Sequence, residues 1–144
     1  MARVDRQVVR VRLERMLHEL DAIERCLPGD FEAFHTADED VRYALEHRIF
    51  VVVQAMLDVA THVAITSGCP GLDSYGDALR ALESLGVIPT ELAQRLSGAA
   101  GLRNAIAHGY LELDQERLYA ALSATGDLRS FATEVWGWIE RPGF

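Results

Sequence analysis

The segment Leu102-Arg103-Asn104-Ala105-Ile106-Ala107-His108-Gly109-Tyr110 places a guanidinium, an amide, an imidazole and a phenol within one short stretch of helix-forming sequence. Arg103 falls where leucine would be expected on the apolar line Leu92, Leu96, Ala99, Arg103, Ile106 and Tyr110, whose steps of three and four mark one helix face. A guanidinium on a buried face is costly without partners, so Arg103 must meet an anion, a carboxylate or a wet cleft. An imidazole takes or gives a proton near neutral pH, and His108 supplies one beside it. The alternative reading is structural: a salt-bridged Arg103, and a His108 whose cation is favoured at the end of its helix. On a regular helix, residues five apart point about 140° from one another, so Arg103 and His108 do not easily converge within one chain. A two-fold pair of such helices would set Arg103 of one chain near His108 of the other, which makes a homodimer the economical arrangement. Tyr110 lies two turns from Arg103 and within about 20° of the same face. Its hydroxyl is expected to open onto the cleft that Arg103 faces, unless it merely fills the apolar seam.

A second polar stripe comprises His47, Gln54, Asp58 and His62, the last three at successive four-residue steps. It interrupts a stretch that is otherwise apolar almost all round, with Phe50, Val51 and Ile65 beside it. Such a helix is buried, so the stripe needs partners. One reading is an internal network in which Asp58 braces His62. The other sets Asp58 and His62 on the wall of the cleft beneath the Arg103 segment. Glu32 and His35 have the Glu-x-x-His spacing of di-iron bundles, but those need two such motifs and two further carboxylates, so no metal is expected. Glu14 and His18 read as a solvated pair one turn apart. Cys26 and Cys69 form no metal-ligand spacing and are expected to be reduced thiols. Trp136 and Trp138 read as packing or partner-facing residues.

The elements that must hold these residues show one period, and it is helical. Val9, Leu13, Met16, Leu20, Ile23 and Leu27 draw one stripe on a long first helix, which Pro28-Gly29-Asp30 stops. Phe31 to His35 forms a single turn. A second helix over about 38–66 carries Val41, Leu45, Ile49, Val52, Met56, Val59 and Val63 on one side, and ends at Ser67-Gly68-Cys69-Pro70-Gly71. Ser74 with Asp77 predicts a capping box for a third helix with Leu79, Leu82 and Leu85 inward. Thr90 is expected to cap a fourth helix that runs on to Gly109, with Gly98 and Gly101 allowing close helix contact within it. Asp114 caps a last helical region to about Arg141, with a kink or break at Gly126-Asp127. The expectation is an all-α fold, an antiparallel helical bundle of four to six helices, in one domain over residues 1–144.

Composition agrees. The chain has 144 residues, 49% of them apolar, enough for about two thirds of the surface to be buried in one core without staples. Intrinsic disorder is excluded. The longest strongly apolar run, Ile49 to Leu57, already contains Gln54 and is short of the roughly 20 residues a bilayer requires, so no membrane span is expected. Arg3, Arg6, Arg10 and Arg12 have no apolar stretch behind them, which does not fit a signal peptide and predicts a cytoplasmic location. The net charge of −8 argues against a general nucleic-acid binder. Its distribution is uneven: residues 1–25 hold six arginines against five acids, while residues 26–144 hold eight against 17. The Arg-rich start, Arg3, Arg6, Arg10, Arg12 and Arg15, is either a locally attractive strip for an anion or a solvated helix face.

The combination of Arg103, Asn104, His108 and Tyr110 near the end of a late helix, in a bundle of this length and helix order, resembles the HEPN superfamily, and within it the HepT-like toxins. The resemblance covers essentially the whole chain. It implies a metal-independent ribonuclease that works as a homodimer, needs no cofactor, and is paired with a minimal nucleotidyltransferase antitoxin. It implies catalytic roles for Arg103 and His108, and it makes Tyr110 a target to which the partner transfers AMP from ATP. The chemistry is compatible. Cleavage by the neighbouring 2′-hydroxyl needs one proton taken and one returned, which His108 can do, while Arg103 offers a planar fork of donors to the charge growing on phosphorus. Asn104 would orient the phosphate or the imidazole, with Asp58 and His62 as supporting residues. The alternative implied by the same resemblance is a non-catalytic HEPN dimer that serves as a nucleotide-binding adaptor or partner of a nucleotidyltransferase.

Overall fold

The computed structural model describes residues 3–108 and 114–142. Among them are eight helices and no strands: α1 (Arg6–Cys26), α2 (Phe31–His35), α3 (Glu39–Thr66), α4 (Tyr75–Ser84), α5 (Thr90–Arg95), α6 (Ala99–Ala107), α7 (Gln115–Ser123) and α8 (Gly126–Ile139). The all-α bundle read from the sequence is the fold observed. It has more segments than expected because the stretch read as one fourth helix is divided, and the last region takes a full break where a kink or break was expected.

The stripe on α1 is buried from Val9 through Ile23 and faces Leu45, Ile49, Val52, Met56, Val59 and Val63 of α3. The two helices run antiparallel. The start of α1 reaches the end of α3, where the Asp5 backbone N–H donates to His62 Nε2 at 3.1 Å, while Glu19 meets Arg48 nearer the beginning of α3. Asp5 also caps α1, accepting from the backbone N–H groups of Gln7 and Val8. α4, α6, α7 and α8 then pack around the remaining sides of α3. By length and composition α3 is apolar enough to cross a bilayer, which the run length had not suggested, but half of that apolar window is buried inside the fold. α3 is the core helix.

Turn chemistry sets where the helices stop. Gly68 follows α3 with φ +78°, and the Cys69 N–H reaches back to the Ala64 carbonyl. Gly86 repeats this after α4 with φ +76° and Val87 bonded to the Leu82 carbonyl. Both are left-handed closures that disfavour a side chain with a Cβ. Ser74 accepts from the Asp77 N–H, but Asp77 returns the bond to the Asp73 N–H, so the reciprocal cap is displaced by one residue.

Several local expectations are corrected. The fourth helix is broken at Leu96–Gly98 into α5 and α6, and Pro89 rather than Thr90 precedes it, with no side-chain cap bond. Gly98 and Gly101 do not admit a neighbouring helix: among the described residues a Cβ at Gly98 would meet nothing within 4 Å, and one at Gly101 would touch only the Arg117 guanidinium. The weak helix propensity of Gly98 favours the break instead, while Gly101 is carried inside α6. The break in the last region falls at Ala124–Thr125, two residues before the glycine. Val41 and Leu85 are exposed because each sits on the terminal turn of its helix, beyond the packed span.

Polar clamps fix the outer helices. Arg129 of α8 bonds Asp21 and Glu24 of α1, which together raise its guanidinium above the ordinary arginine value. Glu19 is 3% exposed and accepts from Arg15 at 3.1 Å and Arg48 at 2.7 Å, joining α1 to α3. Glu19→Ala should therefore destabilise the fold by about 1–3 kcal/mol, less than for a fully buried pair because both arginines keep access to water. Equilibrium urea unfolding checks this, and a loss below about 0.5 kcal/mol would show that the pair is not a fold determinant.

Candidate functional site

α6 lies on the surface and has no fully buried residue. Leu102 and Ile106 are partly buried against the core, and Arg103 lies between them, half-buried. Arg103 meets α3. Its Nε–H donates to Gln54 Oε1 at 2.8 Å, one Nη donates to Asn104 Oδ1 at 3.1 Å, and the guanidinium carbon stands 5.8 Å from the Phe50 ring centroid. Gln54 in turn donates through Nε2 to Asp58 at 2.9 Å and, more weakly, to the Tyr75 hydroxyl at 3.4 Å. A carboxylate only accepts, so Asp58 forces the amide NH2 of Gln54 toward itself and the amide oxygen toward Arg103.

This arrangement meets the sequence requirement in an unexpected way. Among the described residues Arg103 meets no carboxylate; its acceptors are two neutral amides, with an aromatic face nearby. By contrast, Arg10, Arg15, Arg48, Arg80, Arg95 and Arg129 each end on a carboxylate. The charge of Arg103 is held in place without being neutralised. A phosphate oxygen can still take that charge.

The other candidate residues divide. Asn104 is joined to Arg103. His108 is the C-cap of α6, exposed, with its backbone N–H on the Asn104 carbonyl and no side-chain partner among the described residues. Tyr110 lies outside the described residues. Asp58 belongs to the Arg103 network through Gln54, whereas His62 points to Asp5 and does not pair with Asp58. Each side chain takes a different polar partner: the Gln54 amide for Asp58, the α1 cap for His62. Glu32 and His35 share α2 without a third metal-ligating side chain among the described residues, and His35 stacks on Phe31 at 5.4 Å.

Two recesses flank the network. A groove of about 410 Å³ beside Phe50, Gln54 and Asp58 is edged by Arg12 and Arg15, so part of the Arg-rich start of the chain stands next to the site. A smaller recess of about 270 Å³ lies between Tyr43, Glu46, His47 and Phe50 on α3 and Ile106 and Ala107 on α6. Burial pushes the Glu46 carboxyl above the usual carboxylate range, and the hydrogen bond that the Tyr43 hydroxyl donates to Glu39 holds the phenol above its ordinary value. The sequence reading missed Tyr75, Phe50 and Glu46 as members of the site. Phe50 carried a signal, one turn before Gln54 on the polar stripe. Tyr75 comes from another helix, and no spacing announces it.

With this geometry in place, likeness to known proteins becomes decisive. The model of the HepT-like family, described as ribonuclease HepT-like, matches residues 16–135. The chain belongs to that family. A protein of Archaeoglobus fulgidus described as a candidate RNase is 30% identical over 126 residues, covering 87% of this chain and 93% of that one. In fold, this HepT-like chain is similar to a tri-AMPylated HEPN toxin of Shewanella oneidensis solved with its MNT antitoxin, with a TM-score of 0.78, 20% identity, and coverage of 92% and 99% of the two chains. It is also similar to the cytosolic protein YutE of Bacillus subtilis, with a TM-score of 0.83, 20% identity, and coverage of 97% and 94%.

The raised Glu46 carboxyl makes a signed prediction for this HepT-like fold. A carboxyl whose folded value exceeds its unfolded value costs stability above the folded value and nothing below the unfolded one. Glu46→Gln should therefore raise the melting temperature at pH 7 and leave it unchanged at pH 3. A gain at both pH values would assign the effect to packing.

Proposed function

We propose that this protein is a ribonuclease toxin of a toxin–antitoxin pair, acting in the cytoplasm as a homodimer of one HEPN-like domain over residues 1–144. The observation that carries the proposal is Arg103, fixed by Gln54 and Asn104 with no carboxylate against it among the described residues. His108 takes the proton of the RNA 2′-hydroxyl, or returns one to the leaving 5′-oxygen, and Arg103 binds the negative charge growing on the phosphoryl oxygens. Asn104 links the two: its side chain accepts from Arg103 and its carbonyl accepts the His108 backbone N–H. The products are a 2′,3′-cyclic phosphate and a free 5′-hydroxyl, and the scheme needs no metal or cofactor.

Dimerisation completes the site. α6 has no fully buried residue, so it lies open to a partner, and the roughly 140° between Arg103 and His108 favours a shared site across a two-fold axis. The solved toxin–antitoxin relatives support a nucleotidyltransferase antitoxin as second partner. Its action would be AMP transfer to Tyr110, which would add a negative phosphodiester two residues after His108 in the chain and repel the RNA backbone.

Arg103→Ala and His108→Ala should each reduce RNA cleavage by at least about a hundredfold while the circular dichroism spectrum is kept. Cleavage by the wild type should persist in EDTA and leave cyclic phosphate ends. EDTA-sensitive cleavage would sink the mechanism. Mixing the two inactive variants under subunit exchange should restore one composite site, and no recovery despite proven exchange refutes shared sites. Co-expression with the nucleotidyltransferase should add AMP mass at Tyr110, and Tyr110→Phe should cleave yet escape neutralisation. Full silencing of the Phe variant would place control elsewhere.

A further inference from the structure

Between α3, α4 and α6 lies a cavity of about 520 Å³ that the cleavage scheme leaves unused. Its volume is that of a small-molecule site. Ile65 and Leu72 give it apolar walls, Tyr75 an aromatic one, and Asn104 stands at its edge. Ile65, in the last turn of α3, is 60% exposed. Thr61 also lines the cavity, and its hydroxyl is buried without a hydrogen-bond partner. A helical threonine divides between two χ1 rotamers, so exchanging methyl and hydroxyl at this wall breaks no bond. A ligand offering a donor or acceptor there recovers a bond the protein alone forgoes.

The cavity is joined to Arg103 twice. Asn104 accepts from the guanidinium through Oδ1, which leaves its amide NH2 for a second acceptor. Tyr75 is bonded to Gln54, which holds Arg103 Nε. A polynucleotide carries its bases one sugar away from its phosphates. A phosphate on Arg103 therefore places a neighbouring base within reach of the recess that Asn104 borders. Apolar and aromatic walls suit the face of a base, and a few polar groups suit its edge.

We propose that this cavity is a nucleobase pocket that seats an unpaired base of the RNA next to the scissile phosphate. Tyr75 and Leu72 contact the face of the base, while Asn104 and Thr61 bond its edge. The assignment rests on the RNA-cleaving reading above and adds to it a source of base preference. Occupation of the pocket would steady Tyr75, and through Gln54 the guanidinium of Arg103.

The test titrates the full-length protein, with ¹³C-labelled Ile and Leu methyl groups, with 2′-O-methyl RNA tetranucleotides. These lack the attacking hydroxyl and cannot be cleaved by this route. The Ile65 and Leu72 methyl signals should shift, and an abasic residue at one position should abolish the shift and weaken binding about tenfold. Nucleoside monophosphates should move the same signals at least tenfold more weakly. Binding as tight as the tetranucleotide's would overturn the assignment to an RNA strand. Thr61→Val should lose about three- to tenfold in affinity for the preferred base while melting no lower than the wild type, a pair of results that a purely structural hydroxyl would not give. Leu72→Glu should abolish the methyl response at Ile65. Cleavage of unmodified RNA without any methyl response overturns the pocket and spares the nuclease. A methyl response in a protein that does not cleave sustains the pocket and removes the nuclease. Methyl groups that stay still because a second copy of the chain covers them also overturn the proposal.

Discussion

The hydrogen bond from Arg103 to Gln54 governs the arrangement of the site. A core helix surrounded by α1, α4, α6, α7 and α8 has few places for polar side chains, and each one it carries must be satisfied. Gln54 is satisfied on every side: Arg103 on its oxygen, Asp58 and Tyr75 on its nitrogen. The carboxylate of Asp58 orients the amide, and the amide presents a neutral oxygen to the guanidinium. If Asp58 met Arg103 directly, the same residues would form an ordinary internal salt bridge with little charge left for a ligand. On the proposed reading, this one intervening amide is what leaves the guanidinium open to an anion.

The same bond explains how α6 can lie so lightly on the fold. No residue of α6 is fully buried, and its approach to the core rests on Leu102, Ile106 and the Arg103–Gln54 link. A functional segment held this way is positioned by few contacts while most of its surface stays open. The helix break before it follows from the same economy. Gly98 and Gly101 touch almost nothing that would reward a continuous helix, so the chain turns at Ser97–Gly98 and delivers α6 at its own angle.

Much of this was legible in the residues. The stripe on α1, the stripe on α3, the single-turn α2 and the loop after α3 follow from period and turn chemistry, because those signals are local and strong. Arg103 announced itself as a cation in an apolar line, and Gln54 with Asp58 as a polar stripe needing partners. What could not be read was which partner each polar group would take. His62 went to the Asp5 backbone rather than to Asp58, because the antiparallel packing of α1 on α3 brings a helix cap there, and spacing along one helix carries no trace of it. Tyr75 and Thr61 were invisible for the same reason: their meaning depends on the crossing of α3, α4 and α6. The broken fourth helix was misjudged because glycine permits both close approach and fracture, and only the absent neighbour decides between them.

A chain with a net charge of −8 is an awkward host for a phosphate ligand, yet the sign of the whole says little about the site. Much of the acidity is used locally. Asp5, Asp30, Asp38 and Asp114 accept backbone N–H groups at helix starts, where a negative charge also meets the positive end of the helix dipole. Glu19, Asp21, Glu24, Asp127 and Glu140 are matched by arginines. Beyond about 8 Å, salt screens what remains of these fields at physiological strength. Within that distance of a phosphate on α6, the groups that count are its immediate neighbours. Arg103 stands there with no carboxylate against it among the described residues, Asp58 is turned to the Gln54 amide, and Arg12 and Arg15 edge the groove beside Gln54. Local arrangement, not net charge, sets what this surface attracts.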